Sequence, residues 1–272
     1  MSEAVRQELQ TLRGVLDSLG SAAVAVSGGV DSMTLAVVAH RRLGSRAEMF
    51  HAVSAAVPPE ATERVQRYTA REGWRLSIFE AGEFSDADYL RNPVNRCFFC
   101  KFGLYRAIAE RTDAAVLSGT NQDDLGDYRP GLDAARGYGV RHPFCEAGID
   151  KAAVRAIARD LGLSDVAELP AAPCLSSRVE TGISIRGDAL ALIHQVERHL
   201  SRLLEPEVVR CRLRKTGVVI ELDPAALERL GGEQAEPLRA EIAELWRGQG
   251  FDYTVRFEPY RMGSAFLRET TA

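Results

Sequence analysis

The sequence predicts an α/β fold, a parallel sheet with helices on both faces, followed by a smaller α+β unit. Three observations point there. Short apolar runs alternate four times with segments of helical period over roughly the first 120 residues, the signature of βαβ units. The first apolar run passes through Ser27-Gly28-Gly29 straight into a helical pattern, the strand–turn–helix junction of a doubly wound sheet. The texture then changes near Pro170, where Pro170, Pro173 and Gly182 interrupt any period. The boundary is expected within 165–185, giving domains over 1–168 and 169–272.

In chain order, 3–19 reads as an amphipathic helix, with Leu9, Leu12, Val15, Leu16 and Leu19 at helical spacing and Gly20 as the stop. Ala22–Val26 is a buried strand. Asp31–Leu43 is a helix with Leu35, Val38 and Ala39 inward, ended by Gly44. Met49–Ala55 is the second strand. Pro58–Gly73 is a helix with a proline start and a glycine end. Arg75–Glu80 is the third strand, 81–96 reads as a polar loop, Cys97–Arg111 is helical, and Ala114–Leu117 is the fourth strand. Beyond Pro170, Asp188–Leu204 is a long helix and Val208–Leu222 a hairpin around Lys215-Thr216-Gly217. Helices over 224–230 and 234–248 precede a last strand, Tyr253–Phe257.

The 272 residues are 46% hydrophobic and 26% charged with a net charge of −4, ordinary for a chain with a sizeable core. The acidic balance disfavours a broad nucleic-acid footprint. The first residues lack the apolar stretch of a secretory signal, and no run approaches the about 18 apolar residues of a membrane span. A cytoplasmic protein is expected, whose five cysteines serve as reduced, metal-binding or catalytic thiols rather than disulfides.

Two sets of residues carry chemistry. In Ser27-Gly28-Gly29-Val30-Asp31-Ser32 the glycines let the main chain wrap an anion, and the N–H groups of the following helical turn point at it. Ser27 and Ser32 add hydroxyl donors, and Asp31 suits Mg²⁺ or the turn itself. A plain glycine turn with a serine cap is the bland alternative, and the strand–helix context argues against it. The Gly-Lys-Ser/Thr ending of a Walker A loop is absent. The loop instead resembles the PP-loop, SGGxDS, of N-type ATP pyrophosphatases, enzymes that cleave ATP between its α and β phosphates and adenylate a substrate.

Cys97 and Cys100 form a C-x-x-C at a cation-flanked helix start, a setting that suits thiolate chemistry. Cys174 stands in Pro173-Cys174-Leu175-Ser176-Ser177-Arg178. A redox dithiol, a zinc site, a [4Fe–4S] site and two buried cysteines by chance all remain open for the first pair. Cys145 and Cys211 lie in apolar settings and read as small core residues.

Taken together, Asn95-Arg96-Cys97-Phe98-Phe99-Cys100-Lys101, Ser118-Gly119-Thr120-Asn121-Gln122-Asp123-Asp124, Asp127-Tyr128-Arg129-Pro130-Gly131 and Pro173–Arg178 resemble the LarE family of ATP-dependent sacrificial sulfur transferases. The resemblance spans the loop at 27 to about residue 260. It implies a pyridinium-3,5-biscarboxylic acid mononucleotide substrate whose carboxylate is adenylated, with loss of pyrophosphate, before sulfur replaces AMP. The product enters the nickel-pincer cofactor of lactate racemase. One subtype sacrifices the sulfur of a single cysteine, matching Cys174. A second holds a [4Fe–4S] cluster on three cysteines and takes sulfur from sulfide on the open iron. Cys97, Cys100 and Cys174 resemble the second. Ser176 stands where alanine is usual, and Val179-Glu180-Thr181 replaces Ile-Pro-Tyr.

Under this resemblance ATP is held by Ser27, Gly28, Gly29, Asp31, Ser32, Val53, Gly119, Thr120, Asp127 and Arg129. Mg²⁺ falls to Asp31 and Asp123, with Asp127 a further candidate. The bland alternative for these carboxylates is capping in a polar loop. Arg210, Arg212 and Arg214 share one face of a strand at period two. The resemblance supports Arg210 and Arg212 as ligands of the substrate phosphate, with Glu221 nearby, against the bland reading of a solvated face. Arg178 is expected to steady the Cys174 thiolate or the acyl-adenylate. His40 and His51 read as packed, His194 and His199 have poor metal spacing, and Trp74 and Trp246 read as core or interface anchors. The partners expected are the small substrate, sulfide or another sulfur donor, and further copies of the chain. The rival enzyme is a cluster-dependent tRNA thiolase, and the rival outside catalysis is a sulfide or cluster carrier.

Overall fold

The structure is a computed structural model and describes residues 2–126, 130–171 and 173–266. Helix α1 (Glu3–Asp17) starts on Ser2, whose hydroxyl accepts from Val5 N, and buries Leu9, Leu12 and Leu16. Strand β1 (Ala22–Ala25) is central, and its Ala22, Ala23 and Val24 are wholly buried. Small residues suit a strand covered on both faces. Helix α2 (Val30–Leu43), β2 (Ala47–Ala52), α3 (Pro59–Glu72) and β3 (Arg75–Phe79) follow. α3 opens on Pro59 and closes on Gly73 at φ 72°, the pairing that proline's fixed φ and glycine's left-handed freedom favour.

The stretch read as a loop over 81–96 contains a 3₁₀ turn (Glu83–Ser85) and a short helix, α4 (Ala87–Leu90), before α5 begins at Arg96 (Arg96–Ala109). Tyr89 is 2% exposed and Asn92 is fully buried at φ 55°. Their partners lie more than 80 residues away, so no local period announces them. After β4 (Ala115–Leu117) come α6 (Pro130–Gly137), α7 (Pro143–Glu146), α8 (Lys151–Asp160) and α9 (Ser164–Ala167), to which the sequence reading assigned no elements. Asp150 caps α8 by accepting from Ala153 N at 2.8 Å.

The four strands are all parallel, in the order β3-β2-β1-β4. One face packs on α1, α2, α8 and α9 through Leu12, Leu16, Met33, Val37, Val154, Ile157 and Val166. The other packs on α5 and α6 through Tyr105, Ile108 and Ala134. The α/β class expected from the alternating pattern is therefore present.

The later elements are α10 (Gly187–Leu204), β5 (Val209–Arg214), β6 (Gly217–Leu222), α11 (Pro224–Arg247) and β7 (Val255–Pro259). β5 and β6 form the expected antiparallel hairpin, and β7 adds to β6 in parallel. Gly217 at its turn has φ 114°, and a Cβ there would lie 2.6 Å from Thr254 O. α11 is broken at Gly231, whose φ 54° and ψ 169° are not helical, so two helices meet there, as expected on either side of that point.

The chain divides into two units. One comprises Met1–Asp86 and Asn95–Ala172; the other comprises Ala87–Val94 and Pro173–Ala272. The second borrows the α4 segment. Asn92 Nδ2 donates to Val179 O, Glu180 O and Ile183 O, and Tyr89 Oη shares a 2.6 Å hydrogen bond with Ser176 Oγ.

Candidate active site

The chain runs from β1 through β2 to β3 on one side, then returns to place β4 on the other side of β1. The carboxyl ends of β1 and β4 thus flank a topological switch point, where open α/β sheets bind ligands. The 27–32 loop follows β1 there, and Ser118–Asn121 follow β4.

The loop is held by its own serines. Ser32 Oγ accepts from Ser27 N at 3.0 Å, lies 3.0 Å from Ser27 Oγ, and donates to Gly29 O. Gly28 adopts φ 80°, and a Cβ there would sit 2.7 Å from Ala61 O at the start of α3. Gly29 is different. It caps α2 at φ −83°, and its nearest neighbour to an added Cβ is Ser27 Oγ at 3.6 Å. Packing therefore demands glycine at 28 and leaves position 29 open. The first turn of α2 has no side-chain cap, which leaves its N–H groups for an anion. Gly119 lets β4 close onto the same turn, since a Cβ would lie 2.8 Å from Ser32 N.

Polar side chains converge beside this junction. Asp31 accepts from Lys151 Nζ at 2.5 Å on one oxygen and from Asn121 Nδ2 at 3.1 Å on the other. Asn121, 1% exposed, also accepts from Asp123 N through its side-chain oxygen. Asp123 in turn accepts from the N–H of Lys151. Ser118 Oγ sits 2.7 Å from His142 Nδ1 and 2.9 Å from Thr120 Oγ1. Burial lowers the His142 pKa below its ordinary value, so a neutral ring faces Ser118. Cys145 donates to Thr120 O, and burial raises its thiol pKa. His51 is buried between Val26 O and Thr62 Oγ1, as a packed histidine. Val53 follows β2 at the same carboxyl edge, its N–H donated to Phe79 O.

Cys97 and Cys100 are half-buried on the first turn of α5. Phe98 stacks on Phe102, which meets Tyr138 edge-on. In the second unit Cys174 is exposed at the head of the 3₁₀ turn Leu175–Arg178. Arg178 is 4% exposed, and its guanidinium is spent on structure. Nε and Nη2 form a bidentate pair with Glu197 of α10 at 3.0 Å. Nη1 donates to Pro173 O at 2.6 Å, Cys174 O at 3.3 Å and Ser177 Oγ at 3.0 Å. The arginine thus grips the backbone that carries Cys174.

The arginine strand is no solvated face. Arg212 is 4% and Glu221 1% exposed. Glu221 accepts from Arg212 Nε at 3.0 Å, Arg214 Nη2 at 2.7 Å and Ser264 Oγ at 2.5 Å. Arg210 lies opposite Glu221 in the β5–β6 register, its guanidinium 5.9 Å from the centre of the Tyr260 ring. Burial, then the charges of Arg178 and Arg212, lower its pKa. Cys211 is fully buried and its thiol pKa is pushed well up by desolvation, as a core cysteine requires.

The structure thus gathers Ser27, Gly28, Gly29, Asp31, Ser32, Gly119, Thr120 and Asp123 at one junction, and Arg210, Arg212 and Glu221 on one hairpin. Asp127 and Arg129 lie outside the described residues. Among the described residues no three His, Cys, Asp or Glu side chains are grouped so as to hold a metal ion, and the cluster reading of Cys97, Cys100 and Cys174 rests on their motifs. Lys151, His142 and Glu197 escaped sequence reasoning. Lys151 meets Asp31 across 120 residues, and Glu197 meets Arg178 from another element.

No protein-family model matches the chain. An uncharacterized protein of Synechocystis sp. is 35% identical over 264 residues, 95% of this chain and 97% of that protein. An uncharacterized protein of Methanocaldococcus jannaschii is 28% identical over 177 residues, 63% of this chain and 66% of its own. The pyridinium-3,5-bisthiocarboxylic acid mononucleotide synthase of Lactiplantibacillus plantarum is 30% identical over 222 residues, 80% of each chain. With that identity sustained over four-fifths of both sequences, the chain belongs to the LarE family, that of the pyridinium-3,5-bisthiocarboxylic acid mononucleotide synthase.

Proposed function

We propose that the protein is an ATP-dependent sulfur transferase acting on pyridinium-3,5-biscarboxylic acid mononucleotide, in the making of a nickel-pincer cofactor. The observation that carries this reading is the 80% coverage of a relative whose name is that of a thiocarboxylate-forming synthase. A carboxylate resists sulfur because oxide is a poor leaving group. Its oxygen attacks the α-phosphorus of ATP, the bond to the β-bridging oxygen breaks, and pyrophosphate departs with the electron pair. Sulfur then displaces AMP.

The loop geometry supports a nucleotide at 27–32. Gly29 has room for a Cβ at ordinary contact distance, the α2 turn offers uncapped N–H groups, and Gly119 draws β4 close. These fixed donors meet developing phosphate charge without reorganising. Mg²⁺ is assigned to Asp31 and Asp123. Asp31 holds Lys151, so a metal ion there would compete with that ammonium for the carboxylate and would supply charge neutralisation of the phosphates. Arg210 and Arg212 are assigned to the substrate phosphate, with Glu221 fixing Arg212 in plane. The sulfur step is assigned to Cys97, Cys100 and Cys174, with sulfide or another donor as the source. A [4Fe–4S] cluster on these thiols would supply an open iron for sulfide.

The test offers ATP and the biscarboxylate to purified protein and follows pyrophosphate, AMP and substrate mass. Exchange of oxygen for sulfur, with pyrophosphate released only when the carboxylate is present, is expected. ATP binding without pyrophosphate release would favour a carrier instead. Anaerobic purification with iron and sulfide analysis tests the cluster. About four irons per chain, lost on Cys97→Ala, are expected. Colourless protein whose Cys174 loses the mass of H₂S on turnover would assign the sulfur to that residue alone.

A further inference from the structure

Arg64 of α3 directs its guanidinium at the 27–32 loop. Arg41, Arg42 and Arg141 each meet a carboxylate in an ion pair. Arg64 is half-buried, and among the described residues it has no ion-pair partner. Its one hydrogen bond runs from Nη1 to Gly28 O at 2.8 Å. Burial and the charge of Arg67 lower its pKa, so the cation is incompletely compensated where it stands.

Its placement is specific. Gly28 is the residue whose flipped backbone lies against Ala61, one turn before Arg64 on the same helix. The helix that closes on the loop from outside therefore delivers a guanidinium to the loop's carbonyl. One N–H of the fork is used there, and Nε and Nη2 make no hydrogen bond among the described residues. A half-buried cation whose nearest carboxylates, Asp165 and Glu60, make no ion pair with it costs desolvation free energy, which an arriving anion returns. A planar fork that is already anchored at one corner suits the oxygens of a phosphate chain.

We propose that Arg64 is a ligand of the β,γ-diphosphate of ATP and of the pyrophosphate that leaves. This rests on the reading of 27–32 as the nucleotide loop. At α–β scission the bridging oxygen takes the electron pair, and negative charge grows on the diphosphate that Arg64 contacts. AMP lacks that group and does not reach the residue.

The experiment measures binding of inorganic pyrophosphate and of AMP to the full chain by calorimetry, for wild type, Arg64→Met and Arg64→Lys. Wild type is expected to bind both. R64M is expected to lose about 10- to 100-fold in pyrophosphate affinity, the size of one charge-assisted contact, with AMP affinity unchanged. R64K, which keeps the charge and gives up the fork, is expected to fall between and serves alone if R64M does not fold. Unchanged pyrophosphate affinity overturns the proposal. So does an equal loss for both ligands, which makes Arg64 only a prop for Gly28. Wild-type protein that binds neither ligand overturns the nucleotide loop itself, and Arg64 with it.

Discussion

At the scale of single residues, two adjacent glycines separate folding from function. Gly28 has φ 80° and no room for a methyl group beside Ala61 O. Gly28→Ala is expected to cost roughly 1–3 kcal/mol or more in unfolding free energy. Gly29, at φ −83° with room for a Cβ at ordinary contact distance from Ser27 Oγ, is expected to accept alanine with a stability change within about 1 kcal/mol. Its methyl group would stand on the face proposed for the phosphates, so under that reading pyrophosphate release should fall about 100-fold, the scale of a small misplacement of reacting groups. Chemical melts and a pyrophosphate assay on the two variants check this pair. Full turnover in Gly29→Ala would remove the phosphates from this loop. The cysteines divide in a similar way. Cys174 is exposed and Cys211 wholly buried with its thiol pushed up by desolvation. Brief alkylation of native protein, read by peptide mass, should modify Cys174 and spare Cys211 until denaturant is added. Early labelling of Cys211 would contradict the hairpin register.

At the scale of elements, the Arg178–Glu197 pair ties the Cys174 turn to α10. Both side chains are buried, and Glu197 also accepts from Cys211 N at 2.9 Å. Glu197→Ala leaves a buried guanidinium without its partner, a loss of roughly 3–5 kcal/mol. Asp17→Ala, by contrast, breaks an exposed pair with Arg42 and should leave the denaturation midpoint where it was. Equal effects for the two would mean that the Arg178 pair is solvated in solution. This element also shows what was legible beforehand. The strand–helix alternation, the β5–β6 turn and the common face of Arg210, Arg212 and Arg214 follow from local periods. Burial of Arg212 does not, because its guanidinium is enclosed by Glu221 on another strand and by the carbonyls of Ser177 and Arg261, 35 and 49 residues away. The α4 segment was unreadable for the same reason. Asn92 has a polar side chain in a stretch with no clear period, and its hydrogen bonds to Val179, Glu180 and Ile183 make it a core residue. The 27–32 loop could be read because its glycines, serines and acid are contiguous. Its supports, Lys151 and Arg64, could not.

At the scale of the whole molecule, proton linkage and chain connectivity give two further expectations. His51 and His142 both belong to the unit built on the parallel sheet, and burial lowers both pKa values below the ordinary 6.5. As pH drops through that value the unfolded chain therefore binds more protons than the folded one, and stability falls as the pH falls. Above it both states hold neutral rings and this contribution is level. Urea midpoints between pH 8 and 5.5 should decline on the acid side, and His51→Gln with His142→Gln should flatten the slope. An unchanged slope would assign the loss to carboxylates.

Connectivity gives the sharper test, because the second unit is not one continuous stretch. Residues 87–94 supply Tyr89 to Ser176 and Asn92 to three carbonyls, and Leu90 O accepts from Ile185 N. A fragment of 173–272 loses all of these at once and leaves the carbonyls of Val179, Glu180 and Ile183 without their donor. Each buried polar group so stranded costs about 1–3 kcal/mol, enough together to consume most of a small domain's stability. The fragment is therefore expected to lack a cooperative melt. A version with 87–94 fused through a flexible linker should regain one, and the same fusion carrying Asn92→Ala should not. Cooperative melting of the bare fragment, followed by circular dichroism, would show that the α4 segment decorates this unit rather than completes it.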